Sequence, residues 1–197
     1  MEKVRVAVVG IGCRGRYMLE NCLLEMDNMT VTAVCDIYED RVQWAVDAVQ
    51  RHGQPAPFAS TDRHAVLNKE LADAVLILSS WESHVPIAIE AMKKGIAVGM
   101  EVGGAASIEE CWELVRTSEE TGKFCMLLEN CCYDRNEMAI FNMVKQGLFG
   151  EIVHCEGGYR HDLRDEISLG RENRHGRLFN FQNRNGELYP THQLGPI

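Results

Sequence analysis

The chain has 197 residues, 46% hydrophobic and 25% charged, which fits one globular domain or one domain plus part of another. Its 20 basic against 29 acidic residues give a formal charge of -9, which excludes a nonspecific nucleic-acid binder that works by neutralising phosphates. No apolar run approaches the roughly 20 residues needed to span a bilayer, so no membrane partner is expected.

Met1 to Gly10 leads straight into a strand pattern with no signal-peptide layout, and a cytoplasmic protein is the default expectation. Val4 to Val9 reads as a β-branched strand, and Arg16 to Met26 as a helix with Leu19, Cys22, Leu23 and Met26 at helical spacing. Val31 to Cys35 is a second strand, and Arg41 to His52 a helix with Val42, Ala45, Val46 and Val49 on one face. Gly53, Pro55 and Pro57 close that unit. Ala74 to Leu78 predicts a buried strand, Pro86 to Lys94 a helix stopped by Gly95, and Ala97 to Met100 another strand. Ser107 and Glu110 form a capping box that opens a helix through Thr121, with Gly122 as its stop. Phe124 to Leu128 follows as a strand, Glu137 to Gln146 as a helix, and Ile152 to Tyr159 as an alternating strand.

Strands separated by helices require a parallel sheet covered on both faces, because right-handed crossovers lay each helix over the sheet. The expected fold class is therefore α/β, a Rossmann-type doubly wound domain over residues 1–150. Residues 151–197, rich in Arg, His, Asn, Asp and Gly, read as the start of a second, α+β domain with an open sheet. The eight cysteines show no CxxC pair or zinc-ribbon spacing, so they are expected as reduced, mostly buried thiols.

Gly10, Gly12 and Gly15 form G-x-G-x-x-G between a predicted strand and a predicted helix, where backbone N–H groups can approach a pyrophosphate. Asp36 lies 21 positions after Gly15, at the end of the second strand, where its carboxylate can accept hydrogen bonds from ribose hydroxyls. A carboxylate there repels a 2'-phosphate, which favours NAD over NADP. Trp81, at a strand's carboxyl end, is placed to stack beside a nicotinamide or to cover the sheet end.

With Glu101 and Asn130 ending their strands, this domain resembles the Gfo/Idh/MocA oxidoreductases. Most dehydrogenases of that kind carry a Glu-Lys-Pro triplet, whereas this chain reads Glu101-Val102-Gly103. A valine can neither orient nor deprotonate a hydroxyl. The chain is more similar to glycoside hydrolase family 109, the NAD-dependent α-N-acetylgalactosaminidases and relatives, which carry valine at this position. The likeness is carried by residues 81–84, 126–133, 157–164 and 183–192.

The resemblance implies an NAD site lined by Arg14, Gly15, Asp36, Trp81, Glu82, Ser83, His84, Glu101, Val102 and Asn130. It implies a small glycoside or sugar as partner, facing Tyr159, Arg177, Tyr189, Thr191 and His192. Where the family has proline after the valine, this chain has Gly103 and Gly104, so a more mobile loop is expected there. The implied reaction is transient oxidation at sugar C3, deprotonation at C2, elimination, water addition and return of the hydride. His192, Tyr159 and Tyr189 are the candidate acid/base groups, with His192 preferred because imidazoles exchange protons near neutral pH and phenols near pH 10.

Arg177 is expected to anchor a polar sugar substituent through its planar fork. His154, His161, Asp162 and His175 match no standard metal spacing, so no metal is expected. The alternatives are a sugar or inositol dehydrogenase of the same superfamily, or an NAD-binding piece without activity, since the length reads as a truncation. Edge strands of an incomplete sheet also make homo-oligomerisation an expectation.

Overall fold

The computed structural model describes residues 3–197. Six short strands pair in parallel in the order β3-β2-β1-β4-β5-β6: β1 (Val4–Val9), β2 (Met29–Cys35), β3 (Phe58–Ser60), β4 (Ala74–Ile77), β5 (Ala97–Met100) and β6 (Cys125–Leu127). The α/β doubly wound expectation holds, because β1 sits between β2 and β4 and the chain leaves it toward opposite edges.

Strand alternation explains the two hydrophobic layers. Val6 and Val8 join Val31, Val34, Leu19 and Leu23 on one face, under α1 (Cys13–Met18) and α2 (Glu39–Arg51). Ala7 and Val9 join Val75, Ile77, Ile87, Ala91 and Met92 on the other, under α4 (Trp81–Lys93). α5 (Ile108–Thr121) packs beside α4, capped by Ser107, whose hydroxyl accepts the Glu110 N–H at 3.1 Å, and stopped by Gly122 in the left-handed region.

Several elements differ from the sequence expectation. The first helix starts earlier and becomes a π-turn over Leu19–Leu23. Strand β3 and the single turn α3 (Arg63–Val66) lie in a stretch for which no element was expected, with the Asp62 side chain accepting the His64 N–H at 2.9 Å. Helix α4 begins at Trp81 and carries Pro86 inside it; Ser80 in extended backbone and Glu82 in the first turn open the helix ahead of the proline.

The described residues form two compact units, 3–127 and 128–197. The second contains a 3-10 turn (Cys131–Tyr133), α6 (Arg135–Lys145), α7 (Arg164–Ser168), α8 (Leu178–Asn183) and α9 (Thr191–Leu194). The expected strand Ile152 to Tyr159 is not formed, and no strand occurs among the described residues of this unit, so its expected open sheet is absent from them. A strand exists only against a ladder partner, and Val153 stands 90% exposed. The thiols are free, but only Cys35 is fully buried; Cys13, Cys111 and Cys155 are exposed, correcting the expectation of mostly buried cysteines.

Ile77 is fully buried in the layer beneath α4. An Ile77→Ala variant is expected to lose about 2–5 kcal/mol of stability in urea unfolding, because the close-packed strands cannot collapse onto the cavity.

Candidate functional site

Strand β1 ends at Gly10, whose φ of +100° suits glycine and whose N–H donates to the Cys35 carbonyl at 2.8 Å. A Cβ there would lie 2.5 Å from the Leu78 carbonyl carbon. Gly15, buried in α1, faces the Gly10 carbonyl so closely that any side chain would overlap it. A Cβ at Gly12 would lie 3.7 Å from Arg41 Nη1, an ordinary contact, so this position is less tightly constrained than the other two glycines.

Asp36 follows β2 and is buried. Its carboxylate accepts the Ile11 N–H at 2.7 Å and the Tyr38 N–H at 3.1 Å, with the Arg41 guanidinium 3.8 Å away over the Tyr38 ring. A carboxylate has about four acceptor positions, so capacity for two hydroxyls is left. Burial, with Asp36 close by, pushes the neighbouring Cys35 thiol up to about 11.

Glu101 follows β5. One of its oxygens accepts the Arg14 Nε–H and the other the Val102 N–H, each at 2.5 Å. Arg14 thus ties the glycine loop to the end of β5. Trp81 is buried with its indole against Gly103, whose φ is +110°, and His84 is buried with Nε2 at 3.0 Å from the Ser79 carbonyl oxygen. The Ser83 hydroxyl lies 2.6 Å from that of Ser79, and Glu82 shares the same first turn of α4. The bare glycine cradle and the buried, backbone-fixed carboxylate fit NAD.

In the second unit, Glu129 and Asn130 precede the 3-10 turn. Glu129 Oε1 accepts the Cys131 N–H at 2.8 Å and lies 2.5 Å from Nδ1 of His192 in α9. The side chains of His192 and Glu129 are only 6% and 12% exposed, so water competes little for this contact. Tyr159 and Tyr189 present their rings edge-on to His192, with centroids 4.6 and 4.5 Å away, and the Arg177 guanidinium lies 4.9 Å over Tyr189. Thr191 is the first residue of α9.

The structure therefore brings Tyr159, Arg177, Tyr189, Thr191 and His192 together. Glu129 was missed by sequence reasoning, although it sits beside Asn130 in the string 126–133 that carried the resemblance. Burial raises the Glu129 carboxyl, but hydrogen bonds from the Cys131 amide and the His192 ring outweigh it and bring it below its ordinary 4.5.

Among the described residues, Glu129, Cys131 and His192 also place a carboxylate, a thiol and an imidazole within 4.8 Å of one another. Burial and the nearby Glu129, Asp134 and Glu137 push the Cys131 thiol up, which works against the thiolate that a metal requires. No helix among the described residues is long and apolar enough to cross a membrane.

Residues 4–128 match a family described as an oxidoreductase family with an NAD-binding Rossmann fold. The chain belongs to this Gfo/Idh/MocA family. Its cofactor is NAD. Residues 133–197 match the C-terminal domain of glycosyl hydrolase 109. The chain is 42% identical to a glycosyl hydrolase family 109 protein of Solibacter usitatus, over 98% of this chain and 45% of that protein. It is 39% identical to an alpha-N-acetylgalactosaminidase of Bacteroides fragilis, over 100% of this chain and 48% of that one. The chain thus spans about half the length of the curated relatives it matches. In fold it is similar to a myo-inositol 2-dehydrogenase of Lactobacillus plantarum, with a TM-score of 0.76 and 18% identity over 87% of this chain and 49% of that one.

Two expectations follow from this geometry. Gly15→Ala should cost about 1–3 kcal/mol through its overlap with Gly10, read as a lowered midpoint in urea. The Glu129 carboxyl should titrate below 4.5 by carbon-13 NMR. Because its value is depressed in the folded chain, the stability it adds is complete above the unfolded value and is lost as pH falls through the folded one.

Proposed function

We propose that this protein is an NAD-dependent glycosidase acting on N-acetylhexosaminides, α-N-acetylgalactosaminides first. The observation that carries the reading is the gathering of Tyr159, Tyr189 and Arg177 around the buried His192, in residues similar to the C-terminal domain of glycosyl hydrolase 109. The buried, neutral Val102 supports it as well, standing where sugar dehydrogenases place a lysine. The eight unpaired cysteines suit a reducing, cytoplasmic compartment.

The cofactor would be held by the backbone at Gly10, Gly12 and Gly15, by Asp36 at the ribose hydroxyls, and by Arg14, Trp81, Glu82, Ser83, His84, Glu101, Val102 and Asn130. NAD held there would supply a hydride acceptor for sugar C3, and the C3 ketone so formed would make the C2 hydrogen acidic until the hydride is returned. The chain's own task is proton handling. His192 removes the C2 hydrogen or protonates the leaving oxygen, and Tyr159 or Tyr189 takes the complementary role. Arg177 and Thr191 hold polar substituents of the sugar.

Incubation with an aryl α-N-acetylgalactosaminide and NAD in deuterated water should release the phenol and place deuterium at C2. Release without C2 exchange rules out the elimination route, and net NADH accumulation with free sugar decides for a dehydrogenase. His192→Ala should lower kcat by about 10²- to 10⁴-fold. Asp36→Ala should weaken NAD binding roughly 10- to 100-fold in calorimetry, the value of one or two hydrogen bonds to a charged group.

A further inference from the structure

Among the groups around His192, Glu129 has no part in the chemistry above, yet it makes the closest polar contact to the ring. We propose that Glu129 is a positioning residue that fixes the tautomer of His192, with the proton on Nδ1 and Nε2 left as the proton acceptor. The inference rests on the reading of His192 as the acid/base.

Three observations converge on it. The carboxylate is itself held in place, because the oxygen that meets the ring also accepts the Cys131 N–H of the 3-10 turn. The ring is flanked on two sides, because Tyr159 and Tyr189 meet it at interplanar angles of 70° and 83°, so tilting it away from Glu129 would bring it against one of them. Both members of the pair are shielded from water, so the contact keeps its strength.

An ionised carboxylate can only accept, so the nitrogen facing it must carry the hydrogen. A neutral imidazole has one N–H, which leaves Nε2 with the free lone pair. The groups facing the ring are Glu129 and Cys131 from the turn, Tyr159, and Tyr189 with Arg177 stacked on it. Of these, Glu129 alone offers a negative charge to offset the imidazolium that forms when Nε2 takes a proton. Glu129 itself is poorly placed as the base, since its Oε1 is taken by the ring and the Cys131 amide and its Oε2 is buried from solvent. The logic is that of a carboxylate behind a catalytic histidine, where loss of the correct tautomer is costly although the carboxylate never touches substrate.

Nitrogen-15 NMR of histidine-labelled protein at pH about 8, where an ordinary imidazole is neutral, tests the assignment without any substrate. The His192 signals should show a protonated Nδ1 and an unprotonated Nε2. Glu129→Met, which keeps the length and removes the acceptor, should give a mixed or inverted tautomer and lower kcat by about 10²- to 10⁴-fold at nearly unchanged KM. Glu129→Gln keeps an oxygen for the ring and the Cys131 amide, so it should retain the tautomer, fold as the parent does, and lose a smaller part of kcat with the charge. A protonated Nε2 in the parent chain, or the parental tautomer persisting in Glu129→Met, overturns the proposal. If the tautomer is as stated and no glycoside turns over, the glycosidase reading fails and the positioning of His192 by Glu129 stands.

Discussion

The register of the central strands is the constraint on which the nucleotide half depends. Val9 pairs with Cys35 on one side and Ile77 on the other, and Ile77 pairs with Met100. Four parallel strands therefore end in one row, and the residues that follow, Gly10, Asp36, Leu78 and Glu101, emerge side by side at the same edge. The crossover from β1 leads to β2 on one side and the chain returns from β3 to β4 on the other, which makes this row the switch point where sheets of this kind bind ligands. A slip of one residue would reverse the two hydrophobic layers and scatter the row, since Val6 and Val8 serve one layer and Ala7 and Val9 the other. The same register thus sets both packing and site.

The second unit works differently. Apart from α6 its helices are short, most of its side chains are exposed, and its buried polar groups are few. Against that background, a buried imidazole paired with a carboxylate and edged by two tyrosines is expensive to assemble, because each polar group must find its partner away from water. A packing role alone would be met more cheaply by a leucine. The charge-assisted contact between Glu129 and His192 and the stacking of Arg177 on Tyr189 hold these side chains in set orientations.

Most of the first unit was legible in the sequence because β-branched runs, glycine stops and the Ser107 cap are local signals. The start of α4 was obscured by Pro86, which draws the eye away from Ser80 and Glu82. Strand β3 is three residues long with two exposed, too short to carry a period. Ile152 to Tyr159 alternates well but forms no strand, since alternation states only what a segment would do beside a partner. In the site, glycines and Asp36 are readable by spacing. The meeting of Glu129 with His192, 63 positions apart, is a product of the fold and left no mark in local pattern.

The departure at Gly103 follows from the same kind of long-range contact. The replacement of the family's proline by two glycines after Val102 suggests a more mobile loop. The structure gives Gly103 a φ of +110° and sets the Trp81 indole where any Cβ would have to sit. A proline, held near -65°, could not adopt this backbone, and an alanine would displace the indole. Trp81 and Gly103 therefore belong to one arrangement, in which the bulk of the tryptophan occupies the space that a side chain after Val102 would need. Val102, 1% exposed beside it, presents an apolar surface at the end of β5. The loop is shaped by packing, and a lysine in place of Val102 would have to bring its ammonium out of that packing before it could act on any hydroxyl.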